Sequence, residues 1–245
     1  MISFLSIYEE LKISSNLDDL FQRMMKLQGN YGISSGLYGV SYCKSTAQHD
    51  GITDSLFLKT NYSKDFLDHF GSEEFLDDDI TAIHCLSKTT PLIWHEYDRY
   101  YDVNDNQRYY MEEGAYQFDM SVGVAIPVRF NEFGGGGMGL SAQGLGANEF
   151  IKIWSSYQHE ITTITKIFDE LTRTKFVDDE FKLNAREKDI LNWLANGITI
   201  QEIAYKLNLG SSTIETQLRS ARIKLGAKSN IQAITKAMVF NLIKP

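Results

Sequence analysis

Between residues 60 and 127 the sequence contains several aromatic side chains and one acid that together could hold a small molecule. Tyr62, Phe66 and Phe70 are spaced four residues apart, so on a helix they form one stripe. Asp79 and Trp94 follow within 25 residues of that stripe. A phenol and a carboxylate supply hydrogen-bonding chemistry. Taken alone, however, buried aromatics mostly pack, and the acidic run that ends at Asp79 is most simply a solvated loop. The residues by themselves therefore favour a core over a site.

No pattern in the sequence indicates an enzyme. The glycine-rich segment 134–146 lacks the Gly-Lys-Ser/Thr ending of a phosphate-binding loop, so we expect a flexible hairpin with Gly134–Gly137 as its turn. The five histidines show no i, i+4 pairing that would hold a metal. His84 and Cys85 are neighbours, and on a helix they point about 100° apart. We expect neither catalytic residues nor a metal or cofactor.

The elements that position these residues follow from hydrophobic periodicity. Helices are predicted over residues 2–28, 64–70, 79–86, 104–117 and 148–174, and strands over residues 32–43, 55–59, 120–130 and 138–145. A few antiparallel strands with helices before, between and after them indicate an α/β/α sandwich, which can enclose a ligand between sheet and helices. The segment 172–182 is charged and has no apolar stripe, so a linker is expected over residues 173–182.

Composition sets the broad class. A chain of 245 residues with 43% hydrophobic residues supports a core in each of two domains. Its two cysteines form no disulfide framework, there is no signal-peptide pattern, and no apolar run reaches the roughly 20 residues of a membrane span. We expect a cytoplasmic protein that does not enter a membrane.

The segment 183–245 predicts four short helices, each opened by a residue pair three apart that can cap it. These pairs are Asn184 and Glu187, Thr199 and Glu202, Ser212 and Glu215, and Ser229 and Gln232. Gly197 and Gly210 are expected to end the first two helices. The short connection around Gly210 is typical of a helix-turn-helix. The fold class predicted for the whole chain is therefore α+β, with domain 1–172, linker 173–182 and an all-α domain 183–245.

Charge separates a nucleic-acid binder from an ordinary helical bundle. Residues 182–245 contain 10 Lys and Arg against 4 Asp and Glu, a net charge of +6. Because the whole chain carries −8, residues 1–181 carry −14. A basic module on an acidic body is the electrostatic pattern of a DNA-binding domain.

About 60 residues of the carboxy-terminal segment resemble the LuxR-type helix-turn-helix. The matching residues are Leu183–Glu187, Ile190–Trp193, Gly197, Glu202–Ala204, Leu207, Thr213–Ile214, Lys224–Leu225, Ala227 and Gln232–Ala233. The resemblance implies that bases are contacted by Glu215, Thr216 and Arg219. It implies that phosphates lie near Thr199, Ser212, Thr213, Gln217 and Lys224. Gln217 stands where the family often has His, and Glu215 where it often has a basic residue. Glu215 has two competing predicted roles, helix capping and accepting from cytosine N4.

The amino-terminal segment resembles the autoinducer-binding domain of quorum-sensing regulators. The resemblance is carried by Thr60–Tyr62, Phe66, Phe70, Phe75–Leu76, Asp79, Pro91–Trp94 and Gly123–Pro127. It implies that Tyr62 bonds the acyl carbonyl of an acyl-homoserine lactone, Asp79 accepts from its amide N–H, and Trp94 packs over the head group. Ser141 is a further candidate for the pocket, or else an ordinary strand serine.

Three substitutions depart from the family pattern. Phe66 replaces a Trp that bonds the lactone carbonyl, Phe70 replaces a Tyr, and Ile80 replaces a Pro. Because Phe has no donor, a lactone carbonyl would lose about 1 kcal/mol unless another group compensates. Three hypotheses stay open: a lactone, another small signal such as an amide, pyrone or pyrazine-like molecule, and a pocket filled by side chains.

These observations predict a signal-responsive transcription regulator that acts as a homodimer on a palindromic DNA site. The helix 148–174 and the last helix are candidates for dimer contacts. The alternative is a ligand-independent dimeric regulator whose sandwich domain only dimerises. An enzyme or carrier that uses the pocket is a third hypothesis, for which the sequence offers no catalytic set.

Overall fold

The computed structural model describes residues 4–42, 57–70, 79–131 and 134–244. The chain divides into two units, residues 1–170 and 171–245. Residues 43–56 and 71–78 lie outside the described residues, and with them Phe75 and Leu76 of the family resemblance and the acidic residues Asp77 and Asp78. Among the helices of the described residues, none is long and apolar enough to cross a membrane.

The first unit is built on one antiparallel sheet. Its strands are β1 (Ser35–Tyr42), β2 (Phe57–Thr60), β3 (Leu92–Ile93), β4 (Gly123–Asn131) and β5 (Gly134–Ser141), in the spatial order β2-β1-β5-β4-β3. Every neighbouring pair is antiparallel. The helices of this unit are α1 (Phe4–Lys12), α2 (Leu17–Gly29), α3 (Lys64–Phe70), α4 (Ile80–Ser87), α5 (Asp105–Tyr109), α6 (Ala115–Gln117) and α7 (Ala147–Leu171). A π-helical turn, Tyr110–Gly114, joins α5 to α6. The predicted α/β/α sandwich is confirmed.

Strand β5 corrects the prediction of a glycine turn. Gly134–Gly137 belong to the strand and pair along β1, with Gly137 opposite Gly39 and Gly139 opposite Leu37. Glycine usually indicates a turn, but inside a strand it marks a place where another element approaches the backbone closely. Side chains alternate between the two faces, so Gly137 and Gly139 leave one face of β5 bare.

The opposite face of the sheet carries α2 and α7. Phe168 on α7 makes edge-to-face contacts with Phe21 on α2 and Tyr38 on β1, with ring centroids 5.9 and 5.1 Å apart. Buried Gln28 donates from Nε2 to Ile161 O and Thr165 Oγ1, both at 3.0 Å. This layer is a closed core.

The second unit is all helical. It contains a π-helical turn (Thr172–Phe176), α8 (Val177–Phe181), α9 (Ala185–Ala195), α10 (Ile200–Leu207), α11 (Ser211–Lys224) and α12 (Asn230–Val239). Its buried side chains include Ile190, Ile203, Ile214 and Leu218. Helices α10 and α11 form the predicted helix-turn-helix.

The linker predicted over residues 173–182 is instead mostly helical and packed. Phe176, Val177 and Phe181 are buried, the Phe181 ring lies 4.8 Å from that of Phe240, and Arg173 donates to Val239 O at 2.9 Å. Phe176, Val177 and Phe181 form a short apolar stripe among charged residues. Because the charged residues dominate the composition, the sequence indicated a linker.

The helix starts agree with the predicted caps except at α11. Asn184 with Glu187 and Thr199 with Glu202 form reciprocal capping boxes, and Ser229 Oγ accepts from the Gln232 N–H at 3.1 Å. The cap predicted at Ser212 is wrong. Gly210 is the N-cap residue of α11 and provides no side-chain cap, so Ser212 lies inside the first turn. Helix α10 ends earlier, at Asn208, whose φ of +53° is the left-handed conformation that Asn tolerates in this role.

We predict that Gly137→Ala destabilises the first unit by about 1–3 kcal/mol through overpacking. The added Cβ would lie 2.2 Å from Cys85 Sγ on α4. Chemical denaturation followed by circular dichroism measures the change. In the control variant Gly29→Ala the new methyl meets nothing within 4 Å on a helix, so its stability should equal or slightly exceed that of the parent. Equal stability of the two variants would contradict close packing of α4 on β5.

Candidate ligand cavity and DNA-binding face

A cavity of about 180 Å³ lies between the bare face of β5 and the helical layer formed by α3, α4 and the α5–α6 segment. Tyr62, Phe66, Phe70, Asp79 and Trp94 all line it, so the structure brings five of the six predicted ligand-binding residues together. The other lining side chains are mainly apolar, among them Leu37, Leu67, Ala82, Met111, Ala115 and Met120.

Strand glycines make room for this cavity. The family resemblance included Gly123, but the sequence alone indicated no role for Gly139. A Cβ on Gly139 would lie 3.0 Å from Tyr62 Oη and 3.4 Å from Trp94 Cζ2, and one on Gly123 would lie 2.6 Å from Trp94 Cε3. The Trp94 ring therefore rests on backbone that only glycine leaves open at position 123, and Tyr62 Oη lies close above Gly139. Gly139 lies within the predicted strand 138–145, and a glycine inside a strand is a signal that another group approaches the backbone closely.

Asp79 is held at the amino end of α4. Its Oδ1 accepts from the N–H groups of Thr81 and Ala82 at 2.8 and 3.2 Å and from Thr81 Oγ1 at 2.6 Å. Its Oδ2 accepts from Tyr110 Oη at 3.2 Å. Burial raises the pKa of the Asp79 carboxyl, although these hydrogen bonds oppose the shift. The residue is thus a helix cap that also presents one oxygen toward the cavity.

Two tyrosines complete the polar part of the lining. Tyr62 Oη donates to Gly139 O at 3.1 Å, and its ring packs edge-to-face on Phe66 with centroids 5.3 Å apart. Tyr110, on the π-helical turn, was not predicted, because nothing in its local sequence sets it apart from the other tyrosines. Burial raises the pKa of both phenols well above the ordinary value, so both hydroxyls are neutral at physiological pH.

Phe66 and Phe70 belong both to the hydrophobic core and to the wall of the cavity. They are buried in the cluster that includes Met111 and Ala115, and they also form an apolar wall of the cavity. Phe118 packs against both rings, with centroids 5.6 and 5.9 Å away. Neither phenylalanine brings a hydrogen-bond donor to the cavity.

Ser141 does not join the other predicted residues. It is fully buried on β5, its Oγ lies 3.5 Å from Val122 O, and it is absent from the cavity lining. Its position is that of an ordinary strand serine, the simpler of its two predicted roles.

The second unit presents a polar surface at the start and along one side of α11. Seven of the eight predicted DNA-binding residues are exposed there or at the neighbouring start of α10, namely Thr199, Ser212, Thr213, Glu215, Thr216, Arg219 and Lys224. Gln217 is half-buried. The Thr199 hydroxyl donates to Glu202 within its capping box at 2.7 Å.

Lys224 differs from the other predicted phosphate contacts because its ammonium is bound within the unit. It donates to both oxygens of Glu187 on α9 at 2.9 and 2.8 Å, and Ser220 Oγ donates to Glu187 Oε1 at 2.6 Å. The Glu187 side chain is only 1% exposed. Burial alone would raise the pKa of Glu187, but the bonds from Lys224, Ser220 and the Asn184 amide hold it below the ordinary value.

A sandwich domain with an apolar cavity, joined to a helix-turn-helix unit with an exposed polar recognition helix, defines a ligand-responsive DNA-binding regulator. The model of the autoinducer binding domain matches residues 16–170, and that of bacterial regulatory proteins of the luxR family matches residues 182–237. The chain belongs to the LuxR family and is a transcriptional regulator of the quorum-sensing type.

Relatives and solved structures agree with this assignment. The transcriptional activator protein VanR of Vibrio anguillarum is 25% identical over 255 residues, which cover 100% of this chain and 99% of VanR. The transcriptional activator protein AnoR of Acinetobacter nosocomialis is 24% identical, with 94% of each chain covered. The fold is similar to that of Escherichia coli SdiA, with a TM-score of 0.59, 17% identity and coverage of 99% and 98%. It is also similar to SdiA in complex with octanoyl-rac-glycerol, with a TM-score of 0.58, 16% identity and coverage of 97% and 93%.

We predict that Lys224→Met destabilises the second unit by about 3–5 kcal/mol, because it leaves the buried Glu187 carboxylate without its counter-charge. The matched control is Arg219→Met, which removes the same charge from an exposed position on α11 and should change stability by less than about 0.5 kcal/mol. Thermal unfolding measures both. If both variants unfold at the same temperature, Lys224 is a surface residue and its predicted phosphate contact regains weight.

Proposed function

We propose that the cavity of the first unit binds a small acyl-amide signal and that binding regulates the attachment of a dimer to palindromic DNA. The observation that carries this proposal is a carboxylate at the wall of an otherwise apolar cavity. Among the described residues Asp79 Oδ2 accepts only from Tyr110, and an ionised carboxylate oxygen has room for a second donor. An amide N–H buried in such a cavity needs an acceptor of this kind.

The apolar lining favours a ligand with a hydrocarbon part. Phe66, Phe70, Leu67, Met111 and Met120 surround the cavity, and each CH₂ transferred from water to such surroundings contributes about 0.8 kcal/mol. Following the family resemblance, Tyr62 is assigned to the acyl carbonyl and Trp94 to the head group. The cavity of about 180 Å³ favours a ligand-binding regulator over the ligand-independent alternative, which predicts a pocket filled by side chains.

On the DNA side, α11 is the proposed recognition helix. Glu215, Thr216 and Arg219 are exposed along it and are assigned to base contacts in the major groove. Thr199, Ser212, Thr213 and Gln217 are assigned to phosphates. Lys224 is assigned a structural role because its ammonium already binds Glu187.

A dimer is proposed because one helix-turn-helix unit reads only a half-site, and a two-fold dimer reads a palindrome. Helices α7 and α12 are the proposed contacts. On α12 the Ile231 side chain is 78% exposed, whereas Leu242, just beyond the helix, is buried within the unit.

The ligand proposal predicts that Asp79→Asn weakens binding of N-octanoyl-homoserine lactone by roughly 10–100-fold, the loss of a hydrogen bond to a charged acceptor. Asn keeps the helix cap, so folding is preserved while the carboxylate is lost.

Affinity of the unmodified protein should also fall on acidification. Burial raises the pKa of Asp79, so on acidification its carboxylate takes up a proton at a pH above the ordinary pKa of roughly 3.9. The ligand N–H stabilises only the charged form, so affinity is lost as this proton binds. Isothermal titration calorimetry measures both effects.

The control for this experiment is Asn104→Asp, the reverse exchange at the cap of α5, at a residue that does not line the cavity. It should leave lactone affinity unchanged. A second probe, cyclopentyl octanoate, is an ester without any N–H or O–H donor, and its affinity should be insensitive to Asp79→Asn. Unchanged lactone affinity in Asp79→Asn would contradict the role assigned to Asp79.

The DNA proposal predicts that Arg219→Ala weakens binding to a selected palindromic site by about 5–150-fold, the equivalent of 1–3 kcal/mol for one base-contacting arginine. Arg108→Ala removes the same charge from the first unit and should have little effect. Fluorescence anisotropy with the selected site and a scrambled duplex measures both variants. A loss of equal size on both duplexes would mark Arg219 as a phosphate contact and contradict its assignment to bases.

A further inference from the structure

Trp94 contains a buried hydrogen-bond donor that the described residues leave unused. The residue is 6% exposed, and its Nε1 has no hydrogen-bond partner in the described part of the chain. A buried N–H without a partner is unfavourable, because it has lost its hydrogen bond to water and nothing replaces it. Of the residues with such buried unpaired atoms in the described ranges, only Trp94 lines the cavity.

The indole ring is fixed by the bare backbone beneath it. Its benzo edge packs over Gly123, where an added Cβ would lie 2.6 Å from Cε3 and Cζ3. Its Cζ2, two bonds from Nε1, lies near Gly139, beside Tyr62 Oη. The Cζ2 atom of the ring and the phenol oxygen of Tyr62 therefore both lie beside Gly139 on β5. A donor held rigidly in this way loses little entropy when it binds.

The other polar protons of the lining are already committed, either within the protein or, for Tyr62 when the ligand is bound, to the acyl carbonyl of the proposed ligand. Tyr62 donates to Gly139 O, and Tyr110 and Thr81 both donate to Asp79. Cys85 offers only a weak S–H donor. Asp79 in its charged form can only accept. Among the described lining residues, the Trp94 N–H is the strong donor that remains for a ligand.

We propose that the Trp94 indole N–H donates a hydrogen bond to an oxygen acceptor in the head group of the bound signal. This inference rests on the proposed function and adds to it the chemistry of the ligand. The signal carries an amide N–H for Asp79 and, on its head group, a carbonyl or ring oxygen that meets Trp94. The indole supplies the donor that Phe66 and Phe70 lack, so a head group with an oxygen acceptor is retained despite those two phenylalanines.

The test compares two probes that differ only in this acceptor. N-octanoyl-homoserine lactone carries the ring oxygens, whereas N-cyclopentyl octanamide keeps the acyl amide and a five-membered ring without them. Calorimetry gives the affinities of the parent and of Trp94→Phe. Lost packing affects both probes alike, whereas loss of the N–H affects the lactone alone. We expect Trp94→Phe to reduce lactone affinity ~10-fold more than cyclopentyl amide affinity. Equal losses for the two probes would overturn the proposal and leave Trp94 with a packing role.

A second measurement needs no variant at position 94. The chain has three tryptophans, and Trp154→Phe and Trp193→Phe assign the indole ¹H–¹⁵N resonance of Trp94 by elimination. The lactone should move that resonance downfield and slow its exchange with solvent, and the cyclopentyl amide should do neither. Binding of both probes with an unmoved Trp94 resonance would refute this inference alone. If neither probe bound, the proposed acyl-amide ligand would fail and this inference with it.

Discussion

The first unit depends on the close approach of helix α4 and two aromatic rings to one face of β5 that is made of glycines. Cys85 on α4 lies against Gly137, and Tyr62 and Trp94 lie against Gly139. An added Cβ at Gly137 would lie 2.2 Å from Cys85 Sγ, so a larger residue there would force α4 to move. The bare face lets the sheet form one wall of the cavity, while the opposite face, with Tyr38 and Phe168, packs as a closed core. The sheet thereby separates a cavity on one face from a closely packed core on the other.

The charged form of Asp79 is stabilised at the wall of the apolar cavity by the start of helix α4. A charged carboxylate is unfavourable in apolar surroundings, but here Oδ1 accepts from two N–H groups at the start of α4, where the helix dipole also favours a negative charge. The helix thus stabilises the charge that the ligand would use. The same coupling limits substitution, because a residue that abolished the acceptor without keeping the cap would damage α4 as well.

Most of the architecture could be predicted from local chemistry. Period-2 and helical patterns predicted the strands and most helices. The caps at Asn184, Thr199 and Ser229 are made with residues three positions further on, so the local sequence contains their whole cause. What could not be predicted depends on partners distant in the chain. Gly134–Gly137 become a strand because β1 pairs with them, and Tyr110 reaches Asp79 across 31 residues. The Lys224 ammonium is bound by Glu187, which lies 37 residues away in the chain, and is therefore not free for phosphate. Phe181 packs against Phe240, which is also distant in the chain. The family resemblance supplied the cavity residues, since their spacing alone favoured plain packing.

The Glu187 carboxylate has a further consequence for how the second unit meets DNA. It accepts from the Asn184 amide at the start of α9 and from Ser220 and Lys224 near the end of α11, so it fastens α11, the proposed recognition helix, to the rest of the unit at the end opposite the exposed Ser212 and Thr213. A helix fixed in this way is already ordered before it enters a groove. Association then needs no coupled folding of α11, and its heat-capacity change should reflect the contact surface alone. Discrimination between sequences would then depend on the fit of a rigid surface to the groove.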